Sequence, residues 1–149
     1  MKKGTIVEII AILFIILFLY TGISKLMEYE VAIEQIALTP LLAPIAGAVA
    51  IILPICEILV SIILFIPQSR KYGLWASLAL MIAFTGYIIY ILSYNDQLPC
   101  TCGGVLQQLS WPQHLALNAI LTALAVIGIS LLGASRKQLD KIEKTLASS

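Results

Sequence analysis

Four long apolar segments constrain this chain more than any other feature of its sequence. A helix needs about 20 residues to cross a hydrocarbon core of about 30 Å, and each segment is close to that length or longer. None of them alternates polar and apolar residues as the strands of a membrane β-barrel do. We therefore predict an all-α integral membrane protein whose single domain is a four-helix transmembrane bundle. Its helices are expected at residues 5–26, 43–66, 72–94 and 112–133, followed by a tail at 134–149.

The composition and the N-terminus agree with this interpretation. Charged residues make up 11% of the chain, whereas a soluble domain typically contains about 25%. The first apolar segment is longer than the apolar core of a signal peptide, which is about 7–15 residues, and no A-x-A-like cleavage site follows it. We therefore expect this segment to be a transmembrane helix rather than a cleaved signal.

Lysine and arginine residues are distributed unequally between the predicted connections. Eight of the nine lie before the first helix, between the second and third helices, or after the fourth helix, and the exception is Lys25. The positive-inside rule places such residues in the cytoplasm, so both termini are expected there. The eight are Lys2, Lys3, Arg70, Lys71, Arg136, Lys137, Lys141 and Lys144. The connection between the third and fourth helices then faces outward.

That outward connection contains a Cys-x-Cys pair, Cys100 and Cys102, with Pro99 before it and two glycines after it. The outer side of a bacterial inner membrane is oxidising, so the pair can form and exchange disulfides there. A disulfide across one intervening residue requires a bent backbone, and strained disulfides are the readily reduced, catalytic kind. The pair therefore predicts thiol–disulfide exchange, and, if the protein is an enzyme, a thiol–disulfide oxidoreductase.

The start of the fourth helix supports this chemistry. Ser110 and Gln113 have the spacing of a capping box, and Pro112 is suited to a first helical turn. The exposed amides of a helix N-terminus favour a nearby thiolate. His114 lies in the same turn and is a candidate acid–base group, although an interfacial histidine bound to solvent is an equally good interpretation. A structural disulfide remains an alternative. A metal site is a weaker alternative, because Cys100, Cys102 and His114 provide at most three ligands in no common zinc spacing, and we predict no metal.

Glu57 is an ionisable residue inside the second apolar segment. A carboxylate at that depth is costly unless it is paired, protonated or next to a wet cavity, so it is a candidate functional residue. Lys25 is the tempting partner, but Glu57 is expected about 15–20 Å below the outer surface, so Lys25 would have to reach down unless the helix begins later than Leu41. Cys56 is expected to be a small buried hydrophobic residue, although participation in redox chemistry stays open. Asn118 is a candidate for an interhelical hydrogen bond.

Three stretches of the sequence resemble a known group of membrane proteins. "FLYTGISKLMEY" resembles the G-x-x-K-L stretch of DoxX-like proteins, and "LPICEILVSIILF" resembles the proline and glutamate of their second helix. "PCTCGGVLQQLSWPQHLALNAIL" is similar to the cysteine loop and fourth helix of the MauE branch, the methylamine-utilisation type. The cysteine loop of that family often carries an aromatic residue before the glycines, whereas here Gly103 follows Cys102 directly.

The resemblance implies a multi-pass protein of the bacterial inner membrane that supplies or reshuffles disulfides in periplasmic proteins. It implies a thioredoxin-like or secreted thiol protein as partner, besides the lipid bilayer, and no nucleic acid. DoxX-like relatives include a quinone-linked oxidoreductase, so a quinone is a conceivable electron acceptor. By matching position, Cys100 and Cys102 have the redox role. The other motif positions are Gly22, Lys25, Glu57, Trp111, His114 and Asn118.

Two other functions remain open at this point. The first is a non-enzymatic assembly factor or chaperone in which the cysteines form a structural disulfide. The second is a small-molecule carrier centred on Glu57, although four helices are few for a transporter and no inverted repeat is apparent. The sequence leaves undetermined the partner, the direction of electron flow, the cysteine that attacks first and the oligomeric state.

Overall fold

The computed structural model describes residues 3–94 and 109–148, which are entirely α-helical apart from short turns and one 3₁₀ turn. Four of the helices are long and apolar enough to span a membrane, so the predicted all-α, four-span fold is confirmed. The helices are α1 (Lys3–Met27), α2 (Tyr29–Ala37), α3 (Ala46–Phe65), α4 (Arg70–Tyr94) and α5 (Trp111–Ala147). The 3₁₀ turn, Ala43–Ile45, leads directly into α3.

The four long helices alternate in direction, so each end of the bundle collects a fixed set of helix ends. We call one end the basic end: α1 and α4 begin there, α3 and α5 finish there, and an ion pair between Glu8 and Arg70 joins α1 to α4. We call the opposite end the cavity end. There α4 finishes at Tyr94 and α5 begins at Trp111. The side of the membrane that each end faces stays a prediction.

The core of the bundle is made of side chains from all four long helices. Phe14 and Phe18 of α1 stack on each other with their ring centroids 5.6 Å apart. Leu64 of α3, Leu74 of α4 and Ala125 of α5 are fully buried in the same cluster. Large apolar side chains also cover the outer surface, such as Ile16, Ile52 and Ile120. Helices that are apolar on all sides are typical of a protein surrounded by lipid, and this chain is a multi-pass membrane protein.

The connection between the first two spans contains a helix, α2, that we did not predict from the sequence. Ala32 and Ile36, four residues apart, are buried against Ala46 and Ala50 of α3 in a small apolar cluster of their own. Thr39, after α2, is 1% exposed and shares a hydrogen bond of 3.0 Å with the hydroxyl of Tyr87 in α4. The segment after α1 is therefore folded against α3 and α4.

The helix α5 begins at Trp111, directly after the predicted N-cap Ser110, and continues past residue 133, where the span was predicted to end. The backbone N–H of Ser110 donates to Oε1 of Gln113 at 3.0 Å, which is the reach-back hydrogen bond of a capping box. The charged tail continues the same helix to Ala147. A helix of 37 residues is about 55 Å long, so α5 must extend beyond a hydrocarbon core of about 30 Å.

Candidate functional site

The centre of the candidate site is an ion pair between α1 and α3. Nζ of Lys25 lies 2.6 Å from Oε1 of Glu57, and both side chains are almost completely buried, at 8% and 1% exposure. Thr21, one turn before Lys25, donates a hydrogen bond of 3.2 Å to the other carboxylate oxygen, Oε2. Both oxygens of a fully buried carboxylate are therefore hydrogen-bonded to α1, which is the condition under which a buried charge is tolerated.

The fold explains how Lys25 and Glu57 meet, although the sequence suggested that they lie at different depths in the membrane. Because α3 begins at Ala46, Glu57 lies about 17 Å along it from its first residue. Lys25 lies only two residues from the end of α1 at Met27. The first turns of α3 therefore extend past the end of α1, and α2 packs against them. Lys25 is thus buried, and it lines the same cavity as Ala32 and Ile36 of α2.

Close packing at Gly22 brings α1 and α3 together beside the pair. A Cβ atom at this position would lie 3.1 Å from the carbonyl oxygen of Pro54 and 3.1 Å from Cγ1 of Ile58. Both distances are tighter than ordinary van der Waals contact. The helices can approach this closely because Gly22 has no Cβ atom. On the far side of Glu57, the hydroxyl of Ser61 donates to the Glu57 carbonyl oxygen at 3.0 Å. The backbone on both sides of the carboxylate is therefore fixed.

The pair forms part of the wall of a cavity of about 310 Å³ at the cavity end of the bundle. The lining is mostly apolar and comes from all five helices. Polar side chains reach it from α1 and α3 (Thr21, Lys25, Glu57), from α4 (Tyr87) and from α5 (His114, Asn118). His114 is 3% exposed and Asn118 is 7% exposed, so both lie inside the protein.

An aromatic ring completes the surroundings of the ammonium. Nζ of Lys25 lies 5.1 Å from the ring centroid of Phe84 in α4, within the range of a cation–π contact. Lys25 therefore contacts a carboxylate on α3 and an aromatic ring on α4. The charge is stabilised by two helices other than its own.

The structure brings together five of the residues that the sequence nominated. Gly22, Lys25 and Glu57 meet at the contact between α1 and α3, and His114 and Asn118 line the same cavity from α5. Cys100 and Cys102 lie outside the described residues, and so does the side chain of Trp111. Cys56 is a half-buried free thiol on α3, next to Glu57 in sequence.

Sequence reasoning missed Thr21, Thr39, Phe84 and Tyr87. Thr21 had a usable signal, because it precedes Lys25 by four residues and therefore lies on the same face of α1. Tyr87 is a polar aromatic residue in an apolar segment, but nothing in its spacing pointed to Thr39. Phe84 is not distinguishable from any other apolar residue of α4 by sequence.

Comparisons with known proteins agree on one family. The profile described as "Methylamine utilisation protein MauE" matches residues 3–131. A protein named methylamine utilization protein MauE, from Paracoccus versutus, is 33% identical over 126 residues, which are 80% of this chain and 66% of the relative. The chain thus spans just under two thirds of the length of this relative. No solved structure matches the chain.

Proposed function

This chain belongs to the MauE family, and on that premise we propose that it is a membrane redox protein that performs thiol–disulfide exchange through Cys100 and Cys102. The relative from Paracoccus versutus is named for methylamine utilisation, and we propose the same process for this chain. The observation that carries the proposal is the position of the helix ends that flank the cysteine segment. They lie at the cavity end, where Lys25, Glu57 and His114 converge.

The charge distribution supports a periplasmic location for the cysteines. The described lysine and arginine residues other than Lys25 lie at the basic end or in the extension of α5 beyond it. The cavity end instead carries Glu28, Glu30 and Glu34. By the positive-inside rule, the basic end faces the cytoplasm of a bacterial inner membrane and the cavity end faces the periplasm. The periplasm is oxidising, so disulfides there persist until they are exchanged.

The proposed reaction transfers two electrons through a mixed disulfide. In one direction, a thiolate of the pair attacks a disulfide of the partner, a new S–S bond joins the two proteins, and one partner sulfur leaves as a thiolate. The second cysteine then attacks the mixed disulfide and releases the partner as a dithiol. The pair is oxidised to a disulfide and the partner is reduced. The reverse sequence oxidises the partner, which we propose to be a thioredoxin-like or secreted thiol protein.

Trapping of the mixed disulfide tests this reaction. Cys100→Ser and Cys102→Ser each remove one of the two sulfurs, so the intermediate formed by the remaining cysteine cannot be resolved from within the chain. We expect at least one variant to accumulate a disulfide-linked complex with a periplasmic protein, visible on non-reducing gels and lost on reduction. Cys56→Ser is the matched control and should accumulate none. If neither variant traps a partner and both retain activity in cells, the exchange proposal is wrong.

A lasting cycle of partner oxidation requires an acceptor for the electrons that the pair receives. We propose a membrane quinone as this second substrate, which takes up two electrons and two protons from the reduced pair. The measurement is the absorbance of a short-chain ubiquinone analogue mixed anaerobically with the reduced, purified protein. Bleaching of the quinone band should require both Cys100 and Cys102.

Two other functions can be tested in parallel. The buried pair in a cavity also suits a small-molecule carrier, in which case uptake would survive loss of the cysteines but not Glu57→Gln. A non-enzymatic assembly factor would hold Cys100 and Cys102 as a permanent disulfide. Thiol labelling in cells separates this case from exchange, because a reacting pair is found in both the oxidised and the reduced state.

A further inference from the structure

The cavity combines apolar walls with an ion pair whose charges cancel. Each oxygen of the Glu57 carboxylate already accepts a hydrogen bond, Oε1 from Lys25 and Oε2 from Thr21. The ammonium of Lys25 has three N–H donors, and its described hydrogen bonds use one of them. The polar wall therefore has spare capacity to donate, and the group that donates most strongly is a buried cation.

The net charge of this wall selects against charged ligands. An added anion would compete with Glu57 for the ammonium, and an added cation would compete with Lys25 for the carboxylate. In either case a buried charge would lose its partner, which is costly in a low-dielectric interior. A neutral ligand avoids this cost, provided that it offers an oxygen acceptor to the ammonium and apolar surface to the rest of the lining.

The size and composition of the cavity set the remaining properties of the ligand. A volume of about 310 Å³ lies at the lower end of the range for small-molecule sites, which is about 300–1,000 Å³. Leu17, Leu53, Met81 and Leu117 provide apolar contacts from four different helices. Such a site suits one or two rings rather than an acyl chain with a large headgroup.

We propose that this cavity is a binding site for a neutral, lipid-soluble carbonyl compound whose oxygen accepts a hydrogen bond from Nζ of Lys25. Glu57 and Phe84 are positioning residues, because they contact the ammonium from α3 and α4 and line the same cavity. Quinones belong to this chemical class, so the inference deepens the proposed function and rests on it for the identity of a physiological ligand. The site itself requires neither cysteine.

Photolabelling with benzophenone tests the site, because this compound is a neutral lipophilic ketone that crosslinks to the residues it contacts. The full chain, purified in lipid nanodiscs, is irradiated with the probe and mapped by mass spectrometry. We expect saturable crosslinks to cavity-lining residues such as Leu53 and Leu117. Labelling spread evenly over lipid-facing residues such as Ile16 and Ile52, without saturation, would overturn the proposal.

A matched pair of competitors tests the role of the carbonyl group. Fluorenone and fluorene have nearly the same shape, but only fluorenone has an oxygen acceptor. We expect fluorenone to displace the probe at a concentration at least about tenfold lower, since tenfold corresponds to about 1.4 kcal/mol and hydrogen bonds to charged groups typically contribute at least this much. Equal competition would show that the cavity recognises apolar shape alone, and the proposal would fail. A short-chain ubiquinone analogue that competes better than fluorenone identifies quinones as the source, and the reverse order identifies other carbonyl lipids.

Variants of the protein provide a second line of evidence. Lys25→Met combined with Glu57→Met removes both charges together, so no buried charge is left unpaired. We expect this variant to lose the about tenfold preference for fluorenone, and Glu8→Gln, the control at the basic end, to retain it. A double variant that melts as sharply as the parent and still prefers fluorenone would contradict the assignment to Lys25. Cys100→Ser combined with Cys102→Ser should bind normally, so failure of the exchange proposal and failure of this site are distinguishable.

Discussion

The two ends of the bundle each contain an ion pair between helices, and the two pairs differ in almost every physical respect. At the basic end, Arg70 and Glu8 are 3.7 Å apart, and the Glu8 side chain is 62% exposed. At the cavity end, Lys25 and Glu57 are 2.6 Å apart, and neither side chain is more than 8% exposed. In the first pair the Glu8 carboxylate is largely exposed and the Arg70 side chain is 19% exposed. The second is surrounded by protein.

The difference in burial changes how much each ion pair is expected to contribute to stability. Exposed pairs are screened and contribute about 0–1 kcal/mol, so the basic end would fold almost as well without its pair. A buried pair gains little net stability over apolar residues of the same size, because desolvation offsets the attraction between the charges. Stability alone therefore does not explain the presence of Lys25 and Glu57. An ionisable pair inside a membrane protein is by default a functional-site hypothesis, and the variants below test it.

The largest effect is expected from breaking the buried pair on one side only. Glu57→Gln should lower the free energy of unfolding by about 3–5 kcal/mol, because the ammonium of Lys25 is left buried without a counter-charge. The measurement is chemical unfolding of the purified protein in detergent, followed by circular dichroism. If Glu57→Gln lowered the free energy of unfolding by less than about 1 kcal/mol, which is the range of an exposed pair, the buried and the exposed ion pair would not differ in their contribution to stability.

The double variant described above sharpens this result. Lys25→Met with Glu57→Met should be much less destabilised than Glu57→Gln alone, since well-packed apolar residues often replace a buried ion pair at little cost. Near-parental stability combined with loss of ketone binding would separate the function of the pair from folding. If the double variant were as unstable as the single one, the pair would be primarily structural.

An intermediate effect is expected from the helix contact that supports the pair. Gly22→Ala should destabilise by about 1–3 kcal/mol, because the new Cβ would press against a backbone oxygen and Ile58. The matched control is Gly86→Ala in α4, where a Cβ meets nothing within 4 Å. This control should be neutral or stabilising by up to about 1 kcal/mol, the difference in helix propensity. Thermal unfolding of both variants checks the prediction, and equal behaviour would contradict it.

A smaller effect is expected where the segment after α2 contacts α4. Tyr87→Phe removes the hydroxyl that shares a hydrogen bond with Thr39 and should cost about 0.5–1.5 kcal/mol. Because this hydrogen bond joins the segment after α2 to α4, proteolysis should also cut the α2 segment faster in this variant. Cleavage rates identical to those of the parent protein would show that the hydrogen bond does not hold the segment in place.

The sequence predicted the four-span, all-α architecture well because hydropathy acts over whole segments, whereas the orientation inferred from charge placement stays a prediction. Four apolar segments require four spans, and the capping residues Ser110 and Gln113 determine where α5 begins. The helix α2 was missed because it is short and only Ala32 and Ile36 provide its buried face. Its stability comes from packing against α3, which local patterns do not reveal.

The residues of the candidate site were nominated individually, and Lys25 was named as a partner for Glu57, but their meeting with His114 in one cavity was not predicted. An ionisable residue in an apolar segment attracts attention, so Glu57, Lys25 and His114 were found. Their meeting in one cavity depends on the offset between α1 and α3, which is set by the fold of the segment that contains α2. The contribution of Phe84 depends only on its position beside Lys25. Geometry of this kind lies in tertiary packing, not in local sequence.

The smallest effect is expected at the basic end, and it completes the comparison. Glu8→Gln removes the partner of Arg70 at a distance of 3.7 Å, where the carboxylate is largely exposed. The Arg70 guanidinium keeps its hydrogen bond of 3.5 Å to the Leu64 carbonyl oxygen, and most substitutions at exposed positions change stability by less than about 0.5 kcal/mol. We therefore expect an unfolding midpoint within error of the parent and unchanged benzophenone labelling. Raising the salt concentration should leave the difference between parent and variant near zero, since screening weakens an exposed pair that contributes little at the outset. A loss comparable to that of Glu57→Gln would show that burial is not what distinguishes the two pairs.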